Sequence, residues 1–268
     1  MGTMIKNLMA LVVSVIVVHV SYLGYIRPQA SKLIDAARAA GQAPPRDFSI
    51  ILRDYEQEVC IILLLWGAFL IVSKCVDVLR EERYLFSLDL YKEAEEYAIE
   101  KARESGSGDV SQKDILIGLD SLPSSLRDTA LLSVLRAGLR RYLITGNVQN
   151  AADAIESGVE AVGSRMDAEN SMIRYIIWAI PSIGFLGTVR GIGEALSQAN
   201  QALSGDIGGM TGSLGVAFNS TFVALVISIV LMFMLHQLQR VQDGLLVDTQ
   251  SYCEEKLLNR ISRVDEAA

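Results

Sequence analysis

Apolar positions fall into two patterns along this chain. Four stretches are hydrophobic on every side for about twenty residues: 8–26, 59–78, 172–196 and 212–235. An α-helix needs roughly 20 such residues to cross a bilayer. Elsewhere the apolar positions are periodic. Val148, Ala152, Ile155, Val159, Val162 and Met166 alternate at spacings of four and three, the seam of a helix packed along one side. Leu238, Val241, Leu245, Tyr252 and Leu257 mark an apolar side on a tail helix over 237–263. No strand pattern or internal repeat is visible. The pattern predicts an all-α membrane protein with four transmembrane helices and one large polar insert.

The insert is expected to be an antiparallel helical bundle. Residues 77–105 favour helix throughout, with no Gly or Pro, so the second span is expected to run on as one long helix. Gly106 and Gly108 break it, and a short helix follows over 112–119. Pro123 stops that helix, and Ser124 or Ser125 can cap the next, which reaches about Ile144. Gly146 and Asn147 then make a turn. The periodic helix from Val148 meets no break before the third span. The bundle is thus formed by extensions of spans two and three, a build suited to carrying rigid-body motion between membrane and cytoplasm.

Charge gives the sides. The segment 74–174 holds thirteen Lys and Arg and the tail after His236 four, whereas 197–211 holds none. The excess of basic residues marks the cytoplasmic side. Both termini, the helical domain 80–171 and the tail 237–268 are therefore expected in the cytoplasm. The loops 27–58 and 197–211 lie outside, between the first span (1–26 with the N-terminus), the second (59–79), the third (172–196) and the fourth (212–236). The first loop carries five basic residues against this rule, interleaved with Asp35, Asp47, Asp54, Glu56 and Glu58.

Composition removes several function classes. Of 268 residues 51% are hydrophobic and 21% charged, with net charge −7 and no basic block. Nucleic-acid binding therefore has no electrostatic footprint. Cys60, Cys75 and Cys253 fit neither a metal spacing nor a disulfide framework, and Cys60 and Cys75 read as small buried hydrophobes. His19 and His236 have no ligand-like neighbours in sequence, and His19 is expected to face lipid or pack. No nucleophile–base set, phosphate loop or metal cluster suggests an enzyme, and no cofactor is expected.

The spans themselves carry the chemistry. In Pro181-Ser-Ile-Gly-Phe-Leu-Gly-Thr-Val-Arg-Gly-Ile-Gly193, five of thirteen residues are Gly or Pro. Gly costs about 1 and Pro about 3 kcal/mol in a helix interior, so the segment must gain close approach from its glycines. Gly184, Gly187 or Thr188, Gly191 and Ala195 fall on one face of the third span. Ser213, Ala217, Ser220 or Thr221, Ala224 and Ser228 fall on one face of the fourth. Two such faces can meet, or can receive a third helix. Thr188 and Thr221 can line an ion path or simply bond the carbonyl one turn back. Ser220 and Asn219 are weaker pore-lining candidates, and Asn219 could instead join neighbouring subunits through its amide. Pro181 is expected to kink the third span. Arg190 and Glu194 lie within two turns of its outer end. Arg190 can snorkel outward, pair with Glu194 at i+4, or repel cations at a pore mouth. The first, second and fourth spans have no charged residue between their interfaces. The chain thus lacks the mid-membrane carboxylate that usually relays ions.

The segment 181–192 resembles the pore-helix signature of the MotA/TolQ/ExbB proton-channel family. Ala217-Phe-Asn-Ser-Thr-Phe-Val-Ala-Leu225 is similar to that family's second motif, and the likeness covers about 156–235. It places Thr188 and Thr221 on the two pore-lining threonines. Arg190 stands where relatives commonly have a large apolar residue, Ala224 replaces a glycine, and a proline downstream in the fourth span is missing. The four-span layout is similar to MotA, the first motif to TolQ and ExbB.

The resemblance implies a homopentamer in the bacterial inner membrane around the helices of a single-span partner, similar to MotB, TolR or ExbD, that carries a membrane aspartate. Protons or possibly sodium ions would pass by that aspartate and the threonine ring, and their flow would be converted to mechanical work. The competing expectation is a non-conducting pentameric scaffold or signalling subunit of the same fold, favoured by Arg190.

Overall fold

The structure, a computed structural model, describes residues 2–40, 45–87, 89–104, 112–123, 126, 129–205 and 207–262. Among these every regular element is helical. Four helical runs are long and apolar enough to cross a membrane: Met4–Ala39, Tyr55–Arg83, Val148–Ser197 and Gly208–Ser262. The chain divides into two units, Met1–Ser73 with Ser171–Gln237, and Lys74–Asn170 with Leu238–Ala268.

The first unit gathers the apolar stretches. Its opening helix, Gly2–Ser21, passes through a wider π turn at Tyr22–Ile26 and continues as Arg27–Ala39. The start of the segment 27–58 is therefore helical. Pro28 explains the wide turn, since its missing N–H falls on the carbonyl four residues back, at Gly24. The N–H of Arg27 instead reaches the Tyr22 carbonyl. A short helix, Phe48–Ile51, is capped by Asp47, whose side chain accepts from the Ser49 N–H at 2.8 Å. The second long helix then begins at Tyr55. Trp66 ties it to the first by donating from Nε1 to the Asn7 carbonyl at 3.1 Å. Gly67 lets Leu231 and Ile176 approach, so the second, third and fourth spans converge there.

The second unit is built on a continuous apolar core that includes Leu90, Tyr91, Leu119, Leu131, Leu135, Leu139, Ile155 and Leu257. Val148, Val159, Val162 and Met166 pack against it, as their spacing predicts, with Ala151 fully buried beside half-buried Ala152. Leu245 and Leu257 of the tail enter the same core. Burial pushes the Tyr91 phenol above its ordinary pKa.

The helix expected to run unbroken over 77–105 is instead interrupted. One helix ends at Ser87 and a new one, Leu90–Glu104, starts beyond Asp89. Asp89 acts as its cap, accepting from the Lys92 N–H at 3.4 Å, and Tyr252 donates to the same carboxylate at 2.7 Å. A capping aspartate restarts a helix without any Gly or Pro. The helix Ala130–Thr145 is capped by Thr129. Ser124 and Ser125, the expected caps, and the break at Gly106 and Gly108 lie outside the described residues. Gly146 closes that helix in the left-handed region at φ 60°, and Asn147 caps the next, Val148–Glu169. A single residue, Asn170, separates it from the helix Ser171–Ser197.

Candidate functional site

The small-residue faces of the third and fourth spans meet each other within this chain. A methyl placed on Gly184 would lie 2.5 Å from Ala224 Cβ, and one on Gly187 would lie 2.5 Å from Ser220 Cβ. At Gly191 it would lie 2.7 Å from the Ala217 nitrogen and 2.8 Å from the Ser213 carbonyl oxygen. Backbone therefore touches backbone over two turns, and only glycine admits that. Gly193, by contrast, has nothing within 4 Å of that position.

Thr188 and Thr221 sit at the edge of this contact, and both are half-buried. Their hydroxyls hydrogen-bond each other. Thr188 Oγ1 also lies 3.1 Å from the Ala217 carbonyl oxygen and 3.3 Å from that of Gly184, and Thr221 Oγ1 lies 3.3 Å from the latter. One hydroxyl donates to the other within the pair, and the second hydroxyl proton is left for one of these carbonyls. The remaining lone pairs face no other donor among the described hydrogen bonds. Chemically the pair is a cluster of acceptor oxygens, able to receive a proton donor or a small cation.

Pro181 lies inside the third span, where it removes the helical donor to the Ile177 carbonyl. Ser228 fills the gap by donating to that oxygen at 3.1 Å. Intramembrane proline is tolerated where a neighbouring hydroxyl restores the lost bond.

Ser220 turns inward rather than toward the threonine pair. It is 1% exposed, donates to the Val216 carbonyl at 2.9 Å and accepts from Gln57 Nε2 at 3.3 Å. Gln57, fully buried in the first turn of the second long helix, was not among the residues singled out by sequence. Asn219 is half-buried.

Arg190 makes a wider set of partners than the expected Glu194. Its Nη1 donates to Glu194 at 3.0 Å, while Nε and Nη2 engage both carboxylate oxygens of Glu56 at 2.7 and 2.8 Å. Asp54 lies 3.8 Å from the same guanidinium. His19 likewise has a partner that its sequence neighbours do not show. Its Nδ1 is 2.6 Å from Glu58, which also pairs with Arg27. Arg27 in turn lies over the Tyr55 ring at 4.3 Å from its centroid. The alternating acids and bases of 27–58 supply Arg27, Asp54, Glu56 and Glu58 to these networks, but nothing in that run points to Arg190 or His19 as their partners.

No group of three or more metal-ligating side chains occurs among the described residues. Cys60 and Cys253 are buried free thiols and Cys75 is half-buried.

Fold and site together define a multi-pass helical membrane protein whose last two spans meet through glycines and paired hydroxyls. Residues 127–251, which contain the segments 181–192 and 217–225, match the model of the MotA/TolQ/ExbB proton channel family. No curated protein and no solved structure matches the chain.

Proposed function

We propose that this chain is an ion-channel subunit, for protons in the first place, of an energy-transducing complex in the bacterial inner membrane. Both termini would be cytoplasmic. Five copies would surround the helices of a single-span partner whose membrane aspartate supplies the titrating group. The observation that carries the reading is the Thr188–Thr221 hydroxyl pair, set in spans with no carboxylate away from their ends. Its acceptor oxygens suit a protonated carboxyl arriving from another chain, which would donate on entry and leave as the ion departs. The family match of residues 127–251 supports the same reading.

Ion flow past this pair would be converted to mechanical work by movement of the pentamer about its partner. Thr188→Val and Thr221→Val keep shape and remove the hydroxyl. Each is expected to abolish ion-driven work while pentamer assembly, read by native mass spectrometry, persists. Full activity in both variants would overturn the proposal.

The scaffold reading rested on Arg190. The pairing of that guanidinium with Glu56 and Glu194 favours the conducting reading instead. Proton flux in native membrane vesicles separates the two.

A further inference from the structure

The charges beside Arg190 support a further step that rests on the ion-channel reading. An unmatched guanidinium two residues past Thr188 would repel cations from the path. Here Glu56 meets it through both oxygens, at 2.7 and 2.8 Å, Glu194 lies at 3.0 Å and Asp54 at 3.8 Å. Asp54 has one further base, Arg53, at 3.5 Å. Among the described residues three carboxylates (Asp54, Glu56, Glu194) thus share two guanidiniums (Arg53, Arg190), leaving the cluster one negative charge in excess. Asp54 and Glu56 are only 12% and 14% exposed, so their charges are less screened than those of surface groups.

The position of Glu56 is set by two features. It lies in the first turn of the helix that starts at Tyr55, where exposed N–H groups favour a carboxylate. Its Cγ also lies 3.2 Å from where a Gly187 methyl would be, which brings it against the third span beside Thr188.

We propose that Glu56 is a specificity-determining residue of the ion path. It turns the arginine-marked end of the pore segment from cation-repelling to cation-accepting. A purely mechanical clamp would use the same ion pair but would not depend on the sign of the cluster's net charge.

Three variants separate the two roles. Glu56→Gln brings the cluster to zero, Arg190→Gln to two negative charges, and the double variant restores one negative charge without the Glu56–Arg190 pair, the Arg53–Asp54 pair being kept. Proton uptake under an imposed pH gradient is measured in membrane vesicles from the native host, so that the partner is present. Salt is varied from about 10 mM to about 0.15 M, across which the screening length falls from about 30 to about 8 Å.

The expected result is a several-fold loss for Glu56→Gln at low salt that shrinks at high salt. The double variant is expected to regain flux several-fold over Glu56→Gln, and Arg190→Gln to conduct several-fold better than Glu56→Gln at low salt. Equal losses in all three variants, or wild-type flux in Glu56→Gln, would overturn the proposal. Thr188→Val in the same vesicles keeps the two readings apart. If it conducts normally the channel itself fails, and if it alone abolishes flux only the role of Glu56 falls.

Discussion

Ser228 and Pro181 stand in a donor-for-donor relationship across two spans. The carbonyl of Ile177, left without its helical partner by the proline, receives the serine hydroxyl at 3.1 Å. Ser228 is 6% exposed, so water is a poor substitute for it. Ser228→Ala is therefore expected to lower stability by about 1–3 kcal/mol, the penalty for a buried unsatisfied polar group. Pro181→Ala restores the helical N–H and should make the Ser228→Ala change nearly neutral. A double-mutant cycle by thermal unfolding in detergent measures this, and additive losses would contradict the pairing.

The glycines of the third span divide into two groups with opposite predicted behaviour. Gly184→Ala meets Ala224 and the Ser220 carbonyl, so overpacking of about 1–3 kcal/mol is expected. Gly193→Ala meets nothing within 4 Å and should gain up to about 1 kcal/mol of helix propensity. Comparing melting temperatures of the two purified variants tests the difference. A stabilising Gly184→Ala would show that the spans are farther apart than described.

In the second unit Asn170 Nδ2 donates to Gln242 Oε1 at 2.7 Å, with Asn170 1% and Gln242 6% exposed. Asn170→Ala leaves the glutamine unpaired and is expected to cost about 1–3 kcal/mol, whereas replacing both by leucine should cost markedly less. Urea unfolding followed by circular dichroism reads the difference. A double variant as unstable as the single would show that the amides are held by something other than each other.

Asn147 holds the start of the helix Val148–Glu169, its Oδ1 accepting from the Gln149 and Asn150 N–H groups at 2.8 and 3.3 Å. Asn147→Ala should cost about 1 kcal/mol, and Asn147→Asp should retain most of the cap. Hydrogen exchange confined to the first turn of that helix would report the loss. Unchanged exchange would mean that packing alone fixes the helix start.

The four spans, the a/d seam and the two small-residue faces were legible because each depends on local pattern. Period and length are properties of consecutive residues, and Gly184, Gly187 and Gly191 announce close packing by what they lack. What escaped depends on residues far apart in the chain. Glu56 and Arg190 are 134 positions apart, His19 and Glu58 39, and Gln57 and Ser220 163. Counting bases in 27–58 treated Arg27 and Arg53 as free charges, although each pairs with an acid from the same segment. The break at Asp89 was hidden for another reason. Aspartate inside a charged, helix-favouring run looks like surface until its side chain is seen turned back on the N–H of Lys92.

The interlock of Gly184, Gly187 and Gly191 with Ala224, Ser220 and Ala217 also limits how such chains can exchange parts. A third span grafted from a relative would bring its own bumps and hollows to a fourth span shaped for other ones. Chimeras that carry both spans together should assemble where single-span grafts fail, so the two helices would travel through evolution as one inherited piece.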